Sequence, residues 1–107
     1  MGEPRDPSVD ADIQAARREF GRRLVTKAAQ LEALVAGGDW VEARRAAHKL
    51  CGSAGIYGFG TLGVIASAIE EVLRTSENAP DAGAQREIRE KLEELRTEAE
   101  RASQEMQ

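Results

Sequence analysis

The sequence predicts an all-α fold, an antiparallel up-and-down four-helix bundle, on three observations. Apolar residues recur at spacings of three and four along four separate stretches, which places them on one face of a helix in each. No stretch alternates apolar and polar residues as a half-buried strand would, and there is no repeat or low-complexity segment. Aromatic residues make up only 4% of the 107 residues and charged residues 32%. The core must therefore come from Leu, Ile, Val and Ala, a composition typical of helical bundles. A chain of this length supports one domain with a single modest core.

Residues 1–8 read as a flexible tail, since "MGEPRDP" is polar and carries two prolines. Residues 9–107 then form the domain. Ser8 or Asp10 can cap the first helix through a side-chain oxygen. Its stripe is Val9, Ile13, Ala16, Phe20, Leu24, Ala28, Leu31 and Leu34, with Arg17, Arg18, Arg22 and Arg23 mostly beside it. "GGD" at 37–39 stops the helix, and Asp39 can cap the next one. The second helix is expected from about Trp40 to Ala54, with Ala43, Ala47, Leu50, Cys51 and Ala54 inward. "GIYGFG" reads as a break. The third helix has the stripe Leu62, Ile65, Ile69, Val72 and Leu73, and "SENAPDAGA" at 76–84 reads as a loop by its Pro, Gly and Asn content. The last helix carries Ile88, Leu92, Leu95, Ala99, Ala102 and Met106. Four antiparallel helices with short connections close naturally into a bundle.

Composition also narrows function. A net charge of −4 and a pI near 5.1 argue against a general nucleic-acid binder. A single cysteine excludes an internal disulfide and fits a reducing cytoplasm. No apolar run approaches the ~20 residues of a membrane span, and no signal-peptide core is present. Gly2 is followed by Asp6 where a myristoylation signal requires Ser or Thr. The expectation is a cytoplasmic protein without a nucleic-acid or membrane partner, and a monomer, because the four stripes can close on one another.

The stretch "AHKLCGSAGIYGFG", 47–60, holds the only histidine, the only cysteine and four of the ten glycines. On a helix His48 shares a face with Arg44, Arg45, Cys51, Gly52 and Gly55, while Ala47, Leu50 and Ala54 point inward. His48 is therefore expected on the shoulder of the bundle and largely in water. A glycine in a helix interior costs about 1 kcal/mol relative to alanine. Gly55, Gly58 and Gly60 are expected to end the helix and turn the chain. Gly52 lies a turn earlier and is expected to keep the surface beside the imidazole bare for another protein, the alternative being that it admits a neighbouring helix or begins the exit from the second helix.

A metal site needs three or four ligands, and His48 with Cys51 offers two. Nucleophilic hydrolysis lacks a third member and a pocket. The remaining chemistry uses the imidazole as nucleophile toward a phosphoryl group, with a carboxylate holding the other ring nitrogen's proton. Arg44, Arg45 and Lys49 supply cations nearby. Glu70, beside the inward stripe of the third helix, is the candidate carboxylate. A plain exposed histidine among solvated charges is the simpler alternative.

"AHKLCGSAGIYGFGTLGVIASAIE", 47–70, resembles the histidine-phosphotransfer (HPt) domain, whose core motif runs His-x-Leu-Lys-Gly-Ser/Ala. The "GxxGFGxL" continuation is especially similar to the phosphorylated N-terminal domain of chemotaxis histidine kinases. The resemblance implies His48 as the phospho-accepting residue, with Lys49 following it as in many such sequences. Gly52 falls at the position that clears the partner's approach, Ser53 at the Ser/Ala position, and Glu70 where a glutamate bonds the histidine's other nitrogen. Cys51 departs from the pattern, since a lysine that steadies the phosphoryl group usually stands there; Lys49, Arg44 or Arg45 would have to compensate.

The resulting expectation is a phosphocarrier without autonomous kinase activity, as no glycine loop followed by lysine is present. It would relay a phosphoryl group between a sensor histidine kinase, hybrid or otherwise, and a response-regulator receiver domain. No cofactor is expected in this chain; Mg²⁺ would belong to the receiver. The receiver would dock on helices 1 and 2, with apolar surface around His48 and arginines at the rim. Two alternatives stand: a fragment of a larger chemotaxis-type kinase, and an HPt-like module that inhibits or scaffolds a receiver or kinase without carrying phosphate.

Overall fold

A computed structural model describes residues 7–76 and 78–106. The chain forms α1 (Pro7–Ala36), α2 (Trp40–Tyr57), α3 (Gly60–Thr75) and α4 (Ala82–Glu105). Each helix packs on its neighbours in sequence and α4 closes back on α1, which makes the up-and-down four-helix bundle. The core is an aliphatic and alanine seam: Leu24, Leu31, Leu62, Ile69, Ile88 and Leu95 are fully buried, with Ala47, Ala54, Ala66 and Ala99 between them. Alanines at these crossings let the helices approach closely, and leucines fill the space between. No buried side-chain polar atom among the described residues lacks a partner.

The ends of the elements differ from the sequence expectation in several places. α1 starts at Pro7, where a proline's fixed φ and missing N–H suit a first helical turn. Ser8 and Asp10 therefore lie inside the helix and not at its cap. Residues 1–6 of the expected tail, and the side chains of Ser8 and Val9, lie outside the described part. At 30 residues α1 is about 45 Å long, longer than its partners, and its first turns overhang the bundle. Ile13, expected in the stripe, is consequently 52% exposed. Further along, Val35 is buried and Leu34 only half-buried.

Asp39 occupies the cap of α2 but its side chain makes no capping bond. α4 begins at Ala82, inside the expected loop. There the Asp81 carboxylate accepts from the Ala84 N–H at 2.8 Å, a true side-chain cap.

α2 continues through Gly55, Ile56 and Tyr57, so Gly55 belongs to the helix interior and Gly60 to the first turn of α3. Only Gly58 makes the turn. It sits at φ 80°, a conformation favourable for glycine alone. The Phe59 N–H bonds Ala54 O at 2.8 Å, a closure that satisfies the last carbonyls of α2. Phe59 is buried and Phe20 stacks on Tyr57 with centroids 4.9 Å apart. Arg17 ties α1 to this corner: its Nε donates to Tyr57 O at 2.9 Å, and its guanidinium rests 4.7 Å over the Phe59 ring.

Candidate functional site

The short Gly58–Phe59 turn sets α2 and α3 antiparallel with a fixed register, and that register brings His48 and Glu70 together. His48 Nδ1 lies 2.8 Å from Glu70 Oε1. A carboxylate only accepts, so the neutral ring that fits this contact carries its hydrogen on Nδ1, and in that tautomer the lone pair is on Nε2. The imidazole is 75% exposed while the Glu70 side chain is 21% exposed. The carboxylate is thus held in the α2–α3 seam and the ring stands in solvent. Ala47, Leu50 and Ala54, on the opposite side of α2, are buried, which fixes the direction in which the imidazole projects.

The neighbours of His48 divide into two sides. A Cβ built on Gly63 of α3 would lie 3.5 Å from Ala54 Cβ and 3.7 Å from Cys51 O, so α3 runs along the Cys51 side of α2. Arg44 is on that side too, near enough to Glu71 to help lower its pKa, after the larger effect of the Arg74 hydrogen bond. Lys49 is on the other side, in a groove shared with α1. The two nitrogens of an imidazole point in nearly opposite directions. With Nδ1 bonded to α3, Nε2 is on the side of the ring away from it, and helical spacing puts Gly52, Arg45 and Lys49 on that side of α2.

Gly52 is exposed, and a Cβ placed on it would meet nothing within 4 Å. The space beside Nε2 is therefore open solvent and no packing partner within the fold requires a glycine there. The same holds for Gly55 one turn on, and beyond it Ile56 is 80% exposed. Val41, on the same outer face two turns before His48, is 67% exposed. Arg45 is paired with Glu42 at 2.9 Å. Arg44 and Lys49 form no hydrogen bond or ion pair with any described residue. Cys51 is a free, half-buried thiol packed against the core, and Ser53 is half-buried toward α1. Among the described residues no three His, Cys, Asp or Glu side chains converge as a metal site, and no helix is long and apolar enough to cross a membrane.

Sequence reasoning singled out the residues of α2 and the carboxylate of α3, but no residue of α1. Lys27 and Gln30 line the groove beside Lys49. Nothing in their spacing signals this, because it depends on the offset between α1 and α2.

A family model for the Hpt domain matches residues 11–98. The chain belongs to the Hpt domain family. That span takes in all of α2 and α3 and most of α1 and α4, so membership rests on the whole bundle and not on the histidine motif alone. Searches of curated proteins and of solved structures gave no match. Hpt domains serve histidine phosphotransfer in phosphorelays, as phosphocarriers that interact with kinases and receiver domains, and His48 is the one histidine in this sequence.

Proposed function

We propose that this Hpt domain accepts a phosphoryl group on His48 Nε2 and passes it between a sensor kinase and a receiver domain. The observation that carries the reading is the pairing of an exposed imidazole with a shielded carboxylate at 2.8 Å. The Nε2 lone pair attacks the phosphorus of an aspartyl phosphate; the P–N bond forms as the P–O bond to the aspartyl carboxylate breaks, and that carboxylate leaves. The proton stays on Nδ1, so the ring takes on positive charge that Glu70 offsets through a charge-assisted hydrogen bond. The reverse step returns the group to an aspartate. Mg²⁺ would be supplied by the receiver's acidic pocket.

Each supporting residue has a part in this reading. Gly52 leaves the line of approach to Nε2 clear. Lys49 and Arg45 stand on the Nε2 side and would neutralise the phosphoryl oxygens in place of the family's lysine, whose position Cys51 occupies. Arg44 stands on the Glu70 side and acts through the field at the seam. Ser53 and the apolar Val41 and Ile56 would lie under the partner. Closure of the four stripes on one another supports a monomer, and the absence of a glycine loop followed by lysine supports a carrier that does not phosphorylate itself.

Incubation with a phosphorylated receiver or kinase tests the reading. Label that is acid-labile, base-stable and lost in His48→Gln is the expected result. Undiminished label in His48→Gln removes the assignment, and no label on a wild-type protein that still binds the receiver favours a scaffold.

A further inference from the structure

Beside the histidine, between α1 and α2, lies a groove of about 300 Å³. Phe20, Ala46 and Leu50 form its floor, and Lys27, Lys49, Gln30 and Ser53 its rim. Lys27 and Lys49 make no hydrogen bond or ion pair with any described residue, and the Lys27 ammonium lies 6.0 Å from the Phe20 ring centroid. Gln30 and Ser53 likewise have side chains free of hydrogen bonds among the described residues. The carboxylates nearest along the two helices are engaged elsewhere. Glu19 holds Arg22 and Arg23, Glu42 holds Arg45, and Glu32 faces Arg96.

Two ammonium groups lining one groove raise the local positive potential there and favour an anion over a neutral or cationic group. The apolar floor and the two uncommitted polar side chains fit an anion carried on an alkyl stem, such as a carboxylate side chain. The groove also lies on the side of α2 toward which Nε2 is directed. Charge is divided in the same sense across the bundle: α1 and α2 carry more basic than acidic residues, α3 and α4 the reverse.

The geometry points to this α1–α2 groove as the seat of an acidic side chain of the receiver domain, with Lys27 and Lys49 as its two cations. The inference rests on the phosphocarrier reading and deepens it. It makes Lys27, on a helix that carries no part of the phosphotransfer chemistry, a determinant of which receiver docks. Electrostatic pairing of this kind acts mainly on association, so its effect is largest at low salt and fades as ions screen it.

The test separates docking from chemistry. The wild-type protein, Lys27→Met and Lys91→Met are labelled on histidine with phosphoramidate, a small donor that needs no docking. Each is then presented to a panel of receiver domains at several ionic strengths. Lys27→Met keeps the apolar stem over Phe20 and removes only the charge; Lys91, on α4 and paired with Glu94 at 3.4 Å, is the distant control. Transfer from Lys27→Met to the preferred receiver should fall on the order of tenfold at low salt, with the gap closing as salt rises, and Lys91→Met should match wild type. Wild-type transfer with undiminished Lys27→Met transfer overturns the groove, as does a deficit that salt leaves unchanged. A panel in which no receiver takes label from the wild type counts against the phosphocarrier reading itself, and this inference falls with it.

Discussion

Along α4 the solvent face is polar and charged, with no large apolar side chain exposed among the described residues, and part of its charge is paired within the helix: Lys91 with Glu94, and Arg101 with both Glu98 and Glu105. The outer face of α2 is of another kind. Arg44 and Lys49 have no ion pair among the described residues, two glycines leave the surface bare, and Val41 and Ile56 stand in water. Both helices bury equally regular stripes, so the core does not explain the difference. α4 turns only polar and charged side chains to solvent, whereas α2 leaves apolar area and a nucleophile exposed. A helix that needed only to fold would gain from an alanine at Gly52 and at Gly55. What α2 forgoes in stability is best explained by an approaching partner.

The contrast is broken most severely by removing Glu70. A hydrogen bond to a charged group contributes about 1.5–3 kcal/mol, so Glu70→Ala should slow phosphotransfer roughly ten- to a hundredfold without abolishing it. Single-turnover kinetics from a labelled receiver measure this, and a variant as fast as wild type would take Glu70 out of the site.

Gly52→Leu comes next. Nothing within the fold opposes the new side chain, so circular dichroism should show an intact bundle while transfer slows about tenfold, as the partner's phosphorus is held off line. Equal rates would mean that the bare surface has no function.

Smaller still is the stability gain. Gly52→Ala and Gly55→Ala should each stabilise the protein by about 1 kcal/mol in urea unfolding. A destabilisation at either position would reveal a packing role that the structure does not contain.

How much of this is legible in sequence follows from which forces act locally. The four stripes, the exposure of His48 and the candidacy of Glu70 follow from helical periodicity, which a chain displays in its own spacing. The end of α2 was misplaced because glycine weakens a helix without ending it: Gly55 stays helical since Ile56 and Tyr57 follow it onto the bundle, and only the positive φ of Gly58 turns the chain. Ile13 belongs to the stripe yet is exposed, because periodicity shows which face is apolar and not whether a neighbour reaches that far. Arg17, spaced as a surface charge, instead reaches across to Tyr57 and Phe59. That α3 lies on the Arg44 side of the imidazole and α1 on the Lys49 side, with Lys27 beside Lys49, depends on interhelical packing that no single helix encodes.

The smallest effect belongs to α4. Glu98 has its pKa lowered chiefly by the Arg101 hydrogen bond, against a partial opposing effect of burial. A carboxyl depressed in the folded state stabilises above its ordinary value of 4.5 and loses that contribution as pH falls through the depressed value. Glu98→Gln should therefore lower the urea midpoint slightly at pH 7 and not at pH 2, with phosphotransfer unaffected. A transfer defect in this variant would contradict the division between the two helices.

The central claim is that Glu70 holds Nδ1 so that Nε2 alone is the nucleophile. Long-range ¹H–¹⁵N correlation of the His48 ring, recorded on protein phosphorylated by its receiver, reads this directly. The account predicts phosphorus on Nε2 with the Nδ1 proton retained; phosphorus on Nδ1, or an unmodified His48 in a phosphorylated protein, would contradict it.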